Sequence, residues 1–368
     1  MSRMFAERSR WFSPLLVLIT VLALVGLAAP AQAQPFGAWL TLTGQPTHGY
    51  VRVPHAAALN PAGAFTFEAW VSITNSAASE DCRTIAGKNY LQAWWIGLCT
   101  VGGRPTLRSY LKGGSSARNG GEIEPGRWTH IAVVSNGTQR AHYINGELAA
   151  VFAEPAGPLG SSASELRIGS DVSWQFTPSG SIDEVRLWNV ARTVGEIRAN
   201  MQDPITAPQG GLIAVWGFDG NAQDVVGSHD GSTQGAGVGF LTFPVALSCG
   251  ATTATHHCLL DRFSVSARWR TNPLPGTLTD GQAQVAGCAN AGSGLFQFFS
   301  PNNWEIMVKA LDGCGLNDRF WIFSAATTNV FYRMEVFDVR AGVQKIYFNY
   351  PGPPAPAVTD VNAFATCP

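Results

Sequence analysis

Two Asn-Gly dipeptides constrain this chain more than any other local feature. Asn136-Gly137 separates the alternating runs 128–135 and 139–144, and Asn145-Gly146 turns the chain again into 147–152. Asn-Gly accepts the left-handed dihedrals of tight hairpin turns, whose twist matches that of the strands they join. The spacing therefore predicts two consecutive hairpins, and a fold that offers them a sheet.

The surrounding sequence agrees. Alternating apolar residues recur between turn signals from Pro35 to about Pro244, most clearly at 50–53, 65–71 and 107–111. Only 13% of the residues are charged, whereas glycine numbers 40 and proline 22. That balance favours short strands joined by many turns over long amphipathic helices. One short helix is expected at 193–201, where Val194, Ile197 and Met201 share a face, and a further strand follows at 212–218. The expected fold class is all-β, a sandwich or jelly roll.

A second region, 248–368, reads as a smaller β-sandwich of immunoglobulin-like size. Phe263, Val265, Ala267 and Trp269 alternate onto one face, and further strands are expected at 294–299, 304–310, 319–323, 330–339 and 344–350. The proline-rich stretch 351–356 reads as a turn or a loop that pins the C-terminus.

The N-terminus carries Arg3, Arg8 and Arg10, then an apolar run of about 13 residues from Leu15 to Leu27, then Ala31-Gln32-Ala33. This is the pattern of a cleaved export signal, with residues 1–33 removed and the cut after Ala33. The run is short of the ~20 residues that span a bilayer. The expected product is secreted or periplasmic and has no membrane span, with domains at 34–245 and 248–368. The full chain's formal net charge of −1 gives no electrostatic footprint for nucleic acid. In an oxidising compartment the seven cysteines read as disulfides. Proximity pairs Cys82 with Cys99, Cys249 with Cys258 and Cys288 with Cys314, leaving Cys367 over.

Four motifs in order resemble the laminin G-like, concanavalin A-like jelly-roll family over about residues 35–245. They are Ala64-Phe65-Thr66-Phe67-Glu68-Ala69-Trp70-Val71, the hairpin from Gly126-Arg127-Trp128 to Tyr143-Ile144-Asn145-Gly146, Gly180-Ser181-Ile182-Asp183-Glu184-Val185-Arg186-Leu187-Trp188-Asn189, and Trp216-Gly217-Phe218-Asp219. The resemblance implies a jelly-roll β-sandwich. It also implies that Asp183 helps to hold a structural calcium, a hard ion suited to oxygen ligands. Thr43 departs from the pattern, standing where relatives often carry an aspartate. The residues alone leave a second reading, in which Asp183 caps a turn or pairs with an arginine.

Several glycosidases and polysaccharide lyases share the jelly-roll fold, but the Glu-x-Asp-x-x-Glu strand of laminarinase-like members is missing, as are the Gly-x-Ser-x-Gly elbow and His-Glu-x-x-His. Glu122 and Glu124 have a spacing compatible with paired carboxylates, yet Pro125-Gly126 follows and a solvated rim is the expectation. Glu184 and Arg186 should form a surface ion pair, and His130 should be packed or lie at a rim. Aromatic residues are the remaining clue. In Trp94-Trp95, alternation sends one ring inward and the other outward. The outward ring, Tyr110 beside Arg108, and Trp174 are the candidates for stacking on a ligand, against the alternative that these rings fill the core. The sequence thus points to a non-catalytic binding module for a glycan or an extracellular protein, with calcium as a candidate cofactor. The competing classes are a divergent polysaccharide hydrolase or lyase and a structural surface component.

Overall fold

The computed structural model describes residues 37–74, 81–113, 116–155, 157–173, 176–271 and 281–368. Among these, the strands form four antiparallel sheets. The largest runs in the order Glu147–Ala153, Gln139–Ile144, Thr129–Ser135, Phe65–Thr74, Ser179–Trp188, Ala38–Thr43 and Val238–Thr242, and Leu212–Trp216 also pairs with Ser179–Trp188. A seven-stranded sheet faces it, ordered Ser232–Gln234, Tyr50–Val53, Leu166–Ile168, Cys82–Gly87, Trp95–Val101, Arg104–Tyr110 and Arg118–Glu122. Between them lies a core that includes Leu40, Val51, Phe67, Trp94, Ile96 and Leu107. This is the jelly-roll architecture.

The two hairpins form where the sequence places them, by different devices. Ile144 pairs with Glu147, so Asn145-Gly146 is the two-residue loop, and φ of 50° and 74° puts both residues in the left-handed region. At the first hairpin Ser135 pairs with Arg140 and the Asn136 N–H donates to the Gln139 carbonyl. The turn is therefore centred on Gly137-Thr138, one residue further on. Asn136 contributes its side-chain oxygen, which accepts from the N–H groups of Thr138 and Gln139 at 3.0 and 2.8 Å. The helix also forms, as Val194–Asn200, with a capping box between Thr193 and Glu196.

The strands after residue 248 make a second sandwich from two five-stranded sheets. One is ordered His256–Leu259, Phe263–Arg270, Phe331–Asp338 and Val343–Asn349, with Gly281–Gln282 beside Phe263–Arg270. The other is ordered Gln284–Asn290, Ser293–Gln297, Ile306–Asp312, Phe320–Ala326 and Val358–Phe364. Phe263, Val265 and Ala267 point into its core as their alternation requires, and Trp269 is half-buried against it.

The sandwiches meet through an aromatic layer in which Trp39, Trp70 and Trp128 pack with Phe243 and Ile346. Ion pairs surround it. Arg270 donates to both oxygens of Glu147 at 2.9 and 2.8 Å, and Arg333 and Arg127 reach Glu335 at 2.6 and 3.2 Å. Burial would raise the Glu335 carboxyl, but the guanidiniums of Arg333, Arg127 and Arg268 outweigh it and hold the group below its ordinary value.

Three disulfides are present among the described residues. Cys82–Cys99 and Cys249–Cys258 are the pairs that proximity suggests, but Cys314 pairs with Cys367 rather than with Cys288. The last strand lies beside Phe320–Ala326 with Phe364 opposite Phe320, which carries the C-terminus back to Cys314. The Cys288 side chain falls outside the described ones. No helix among the described residues is long and apolar enough to cross a membrane.

Candidate functional site

The outer face of the seven-stranded sheet gathers three of the five residues singled out as ligand-binding. Alternation divides the tryptophan pair as expected. Trp94 enters the core at 1% exposure, against Phe65 and Phe67, and its indole N–H donates to the Leu59 carbonyl at 3.1 Å. Trp95 takes the opposite face, where Tyr110 pairs with it across the strands and their ring centroids stand 5.6 Å apart. Arg108, on the same face two residues before Tyr110, donates from Nε to Asn119 Oδ1.

The expectation of a solvent-facing ring at 95 is corrected. Trp95 is 0% exposed, Tyr110 5% and Arg108 7%. Trp95 lies flat along its own strand, over Gly97, with its N–H on the Thr84 hydroxyl at 2.9 Å. The disulfide Cys82–Cys99 and Tyr90 pack around it. A Cβ at Gly97 would overlap both the Trp95 ring and the Arg83 carbonyl. Gly97→Ala is therefore expected to cost about 1–3 kcal/mol through overpacking, read as a lower denaturant midpoint.

The half-buried ring at the edge of this cluster is Tyr90, which the sequence reading did not select. It stands edge-on to Tyr110 at 4.9 Å and so extends the row Trp95, Tyr110, Tyr90 outward. Its loop is organised by Asp171, a fully buried carboxylate that accepts from the N–H groups of Asn89, Tyr90 and Ser173 at 2.8 to 3.1 Å. Gly87 makes this possible, since a Cβ there would overlap the Asp171 carboxylate. The cluster therefore presents a positioned tyrosine ring and, on the same sheet face, an exposed amide, Asn119, held by the Arg108 guanidinium. Trp174, the fifth candidate, lies outside the described residues.

The carboxylates are placed elsewhere. Glu122 pairs with Arg104 at 2.8 Å, whereas Glu124 turns to the second sandwich and pairs with Arg127 and Arg268 at 2.9 and 3.2 Å. They do not converge on a shared cleft. Asp183, on the eight-stranded sheet, is fully buried, and its Oδ1 accepts the Glu184 N–H at 2.9 Å. Glu184 sits at a bulge with φ 48° and pairs with Arg186 at 2.7 Å. That pair was expected at the surface; it is buried, because the guanidinium also donates to the carbonyls of Asn200 and Asp203 in the segment that covers it. Burial raises Glu184 and Asp219 above the ordinary carboxylate values. Thr43 stands opposite Ser179, away from Asp183 along the strand. Among the described residues no group of three or more His, Cys, Asp or Glu is placed to hold a metal. His130 is packed, 3.4 Å from the buried Glu68.

Residues 44–198 match the family model of the concanavalin A-like lectin/glucanases superfamily. Solved structures similar to this chain include a Bacteroides ovatus protein with a proposed carbohydrate-binding role, at 22% identity and a TM-score of 0.46, covering 57% of this chain. The matched region spans 61% of that protein's length. The heptameric SAP-like pentraxin of Limulus polyphemus matches at 18% identity and 0.42, covering 57% of this chain and 95% of its own. Domain 4 of an extracellular arabinanase from Geobacillus stearothermophilus, solved with arabinotriose, matches at 23% and 0.33, covering 41% and 71%. No curated protein matches the sequence. With its motifs in place and the two sheets face to face, the region that matches this family model lies within a concanavalin A-like jelly roll.

Proposed function

We propose that this chain is an exported, non-catalytic binding protein whose jelly roll recognises a glycan at the outer face of the seven-stranded sheet, around Tyr90. The observation that carries the reading is the row of rings Trp95, Tyr110 and Tyr90, locked from beneath and ending in a tyrosine held by Asp171. A ring held in place loses little freedom when a sugar stacks on it, and Arg108 with Asn119 supplies polar contacts on the same sheet face. Solved neighbours with carbohydrate ligands support the same class of partner. The disulfides suit an oxidising compartment outside the cytoplasm.

A glycan array probed with the full chain tests the reading. Tyr90→Ala, checked for intact folding by circular dichroism, is expected to weaken the best glycan by about tenfold or more. No glycan bound, or equal binding by the variant, would remove the site. New reducing ends in a polysaccharide digest would replace the binding reading with the hydrolase. Calcium belongs to the same proposal, at Asp183, with Asp219, whose charge acts on the adjoining Glu184, as a further oxygen donor. Adding it should raise the unfolding midpoint, and an unchanged midpoint with binding intact in chelator would take the ion out of the reading.

A further inference from the structure

A second site is built where the Asn145-Gly146 turn meets the end of the second sandwich. A groove of about 490 Å³ opens there between Glu147, Leu148 and Arg198 on one side and Phe348, Tyr350 and the prolines after Tyr350 on the other. The volume lies in the range of small-ligand sites. Tyr350 is fixed at both ends: its hydroxyl donates to the Asn145 carbonyl at 3.0 Å and its ring stacks with Phe348 at 6.2 Å and 22°. The guanidinium of Arg198 lies over that ring at 3.6 Å, and its Nε donates to the Gly146 carbonyl at 2.8 Å. Gly146 is required for this packing. It has φ 74°, and a Cβ would come within 2.7 Å of the Tyr350 hydroxyl and 2.9 Å of the Arg198 side chain.

Charge then indicates what the groove takes. Both oxygens of Glu147 are engaged by Arg270. Arg198 makes no ion pair among the described residues; its charge acts on Glu147 in the same groove, but without direct contact, so its terminal nitrogens are not committed to a carboxylate. Stacking and the Nε bond orient a planar guanidinium, and a fork of this kind matches a carboxylate bidentately. Next to it the rings of Tyr350 and Phe348 and the stiff proline wall offer apolar surface to the C–H face of a sugar ring. We propose that this groove binds the carboxylate-bearing sugar unit of an acidic glycan. It is separate from the row of rings ending at Tyr90, so either site can fail without the other.

Calorimetric titration of the full chain with trigalacturonate tests it. The wild type is expected to bind with an affinity that falls as salt rises, and Arg198→Gln, an exposed change checked for intact folding by circular dichroism, should bind at least about tenfold more weakly. Arg198→Lys should recover only part of the loss, because the ammonium lacks the fork. The carboxyl-reduced trisaccharide should bind as weakly as the Arg198→Gln variant does. Lys309→Gln, which removes an exposed cation from the other sheet of the second sandwich, should leave binding unchanged. The proposal is overturned by no binding to the wild type, by equal binding to Arg198→Gln or of the reduced ligand, by an equal loss in Lys309→Gln, or by tighter binding of an acidic peptide than of trigalacturonate.

Discussion

Arg270→Ala is expected to lower the stability of the chain by about 3–5 kcal/mol at neutral pH, the range for stripping one partner from a buried ion pair. The Arg270 and Glu147 side chains are 2% and 8% exposed, and each Glu147 oxygen accepts from the same guanidinium nitrogen. Removing it leaves a carboxylate in the joint between the sandwiches. The pH dependence identifies the orphaned group. Burial pushes the Glu147 carboxyl up, and Arg270 pulls it back only in part. An acid whose folded-state value lies above its unfolded one favours the folded state most below the unfolded value, and that contribution is lost as pH rises through the folded value. Without Arg270 the folded value rises further. The deficit of the variant should therefore be largest at neutral pH and shrink as pH falls towards the ordinary value of 4.5. Denaturant midpoints between pH 4 and 8 provide the check, and a constant deficit would show that Glu147 is not the group responsible. Replacing both residues, Arg270→Met with Glu147→Leu, should be milder than Arg270→Ala alone, because no charge is then stranded.

The second large effect is expected from the disulfide that proximity did not suggest. Cys314 and Cys367 are 53 residues apart, and closing a loop of that length restricts the unfolded chain by about 4 kcal/mol. The double replacement Cys314→Ser with Cys367→Ser should lose about that much, since the covalent tie on the edge strand Val358–Phe364 is gone while its ladder to Phe320–Ala326 and the bonds from Tyr347 to Asp360 and from Asn317 to the Val361 carbonyl are unchanged in both states of the comparison. Removing Cys249–Cys258, with a separation of 9, should cost less, about 3 kcal/mol. Equilibrium unfolding of the two double variants tests the order, and a larger loss for the short loop would contradict the loop-entropy account.

Local rules decided much of this protein before any tertiary contact. Asn145-Gly146 specified a left-handed two-residue loop, Thr193 and Glu196 cap the helix they frame, and alternation separated Trp94 from Trp95. The four family motifs located the jelly roll for the same reason: each is a strand or turn whose pattern is complete within a few residues. Cys82 and Cys99 belong here too, as neighbours across adjacent strands.

What covers each face was decided only by the tertiary structure. Alternation states that Trp95 leaves the core but not that Tyr110, Tyr90 and a disulfide bury it again. It places Glu184 and Arg186 on one side of a strand but not that the segment carrying Asn200 and Asp203 folds over them. Tyr350 meets Arg198 and the Asn145-Gly146 turn, and Cys367 meets Cys314, through the order of strands in sheets whose members are far apart in the chain. A residue's facing direction follows from its own backbone period, whereas its burial, its charge partner and its access to a ligand depend on which distant segment packs against it.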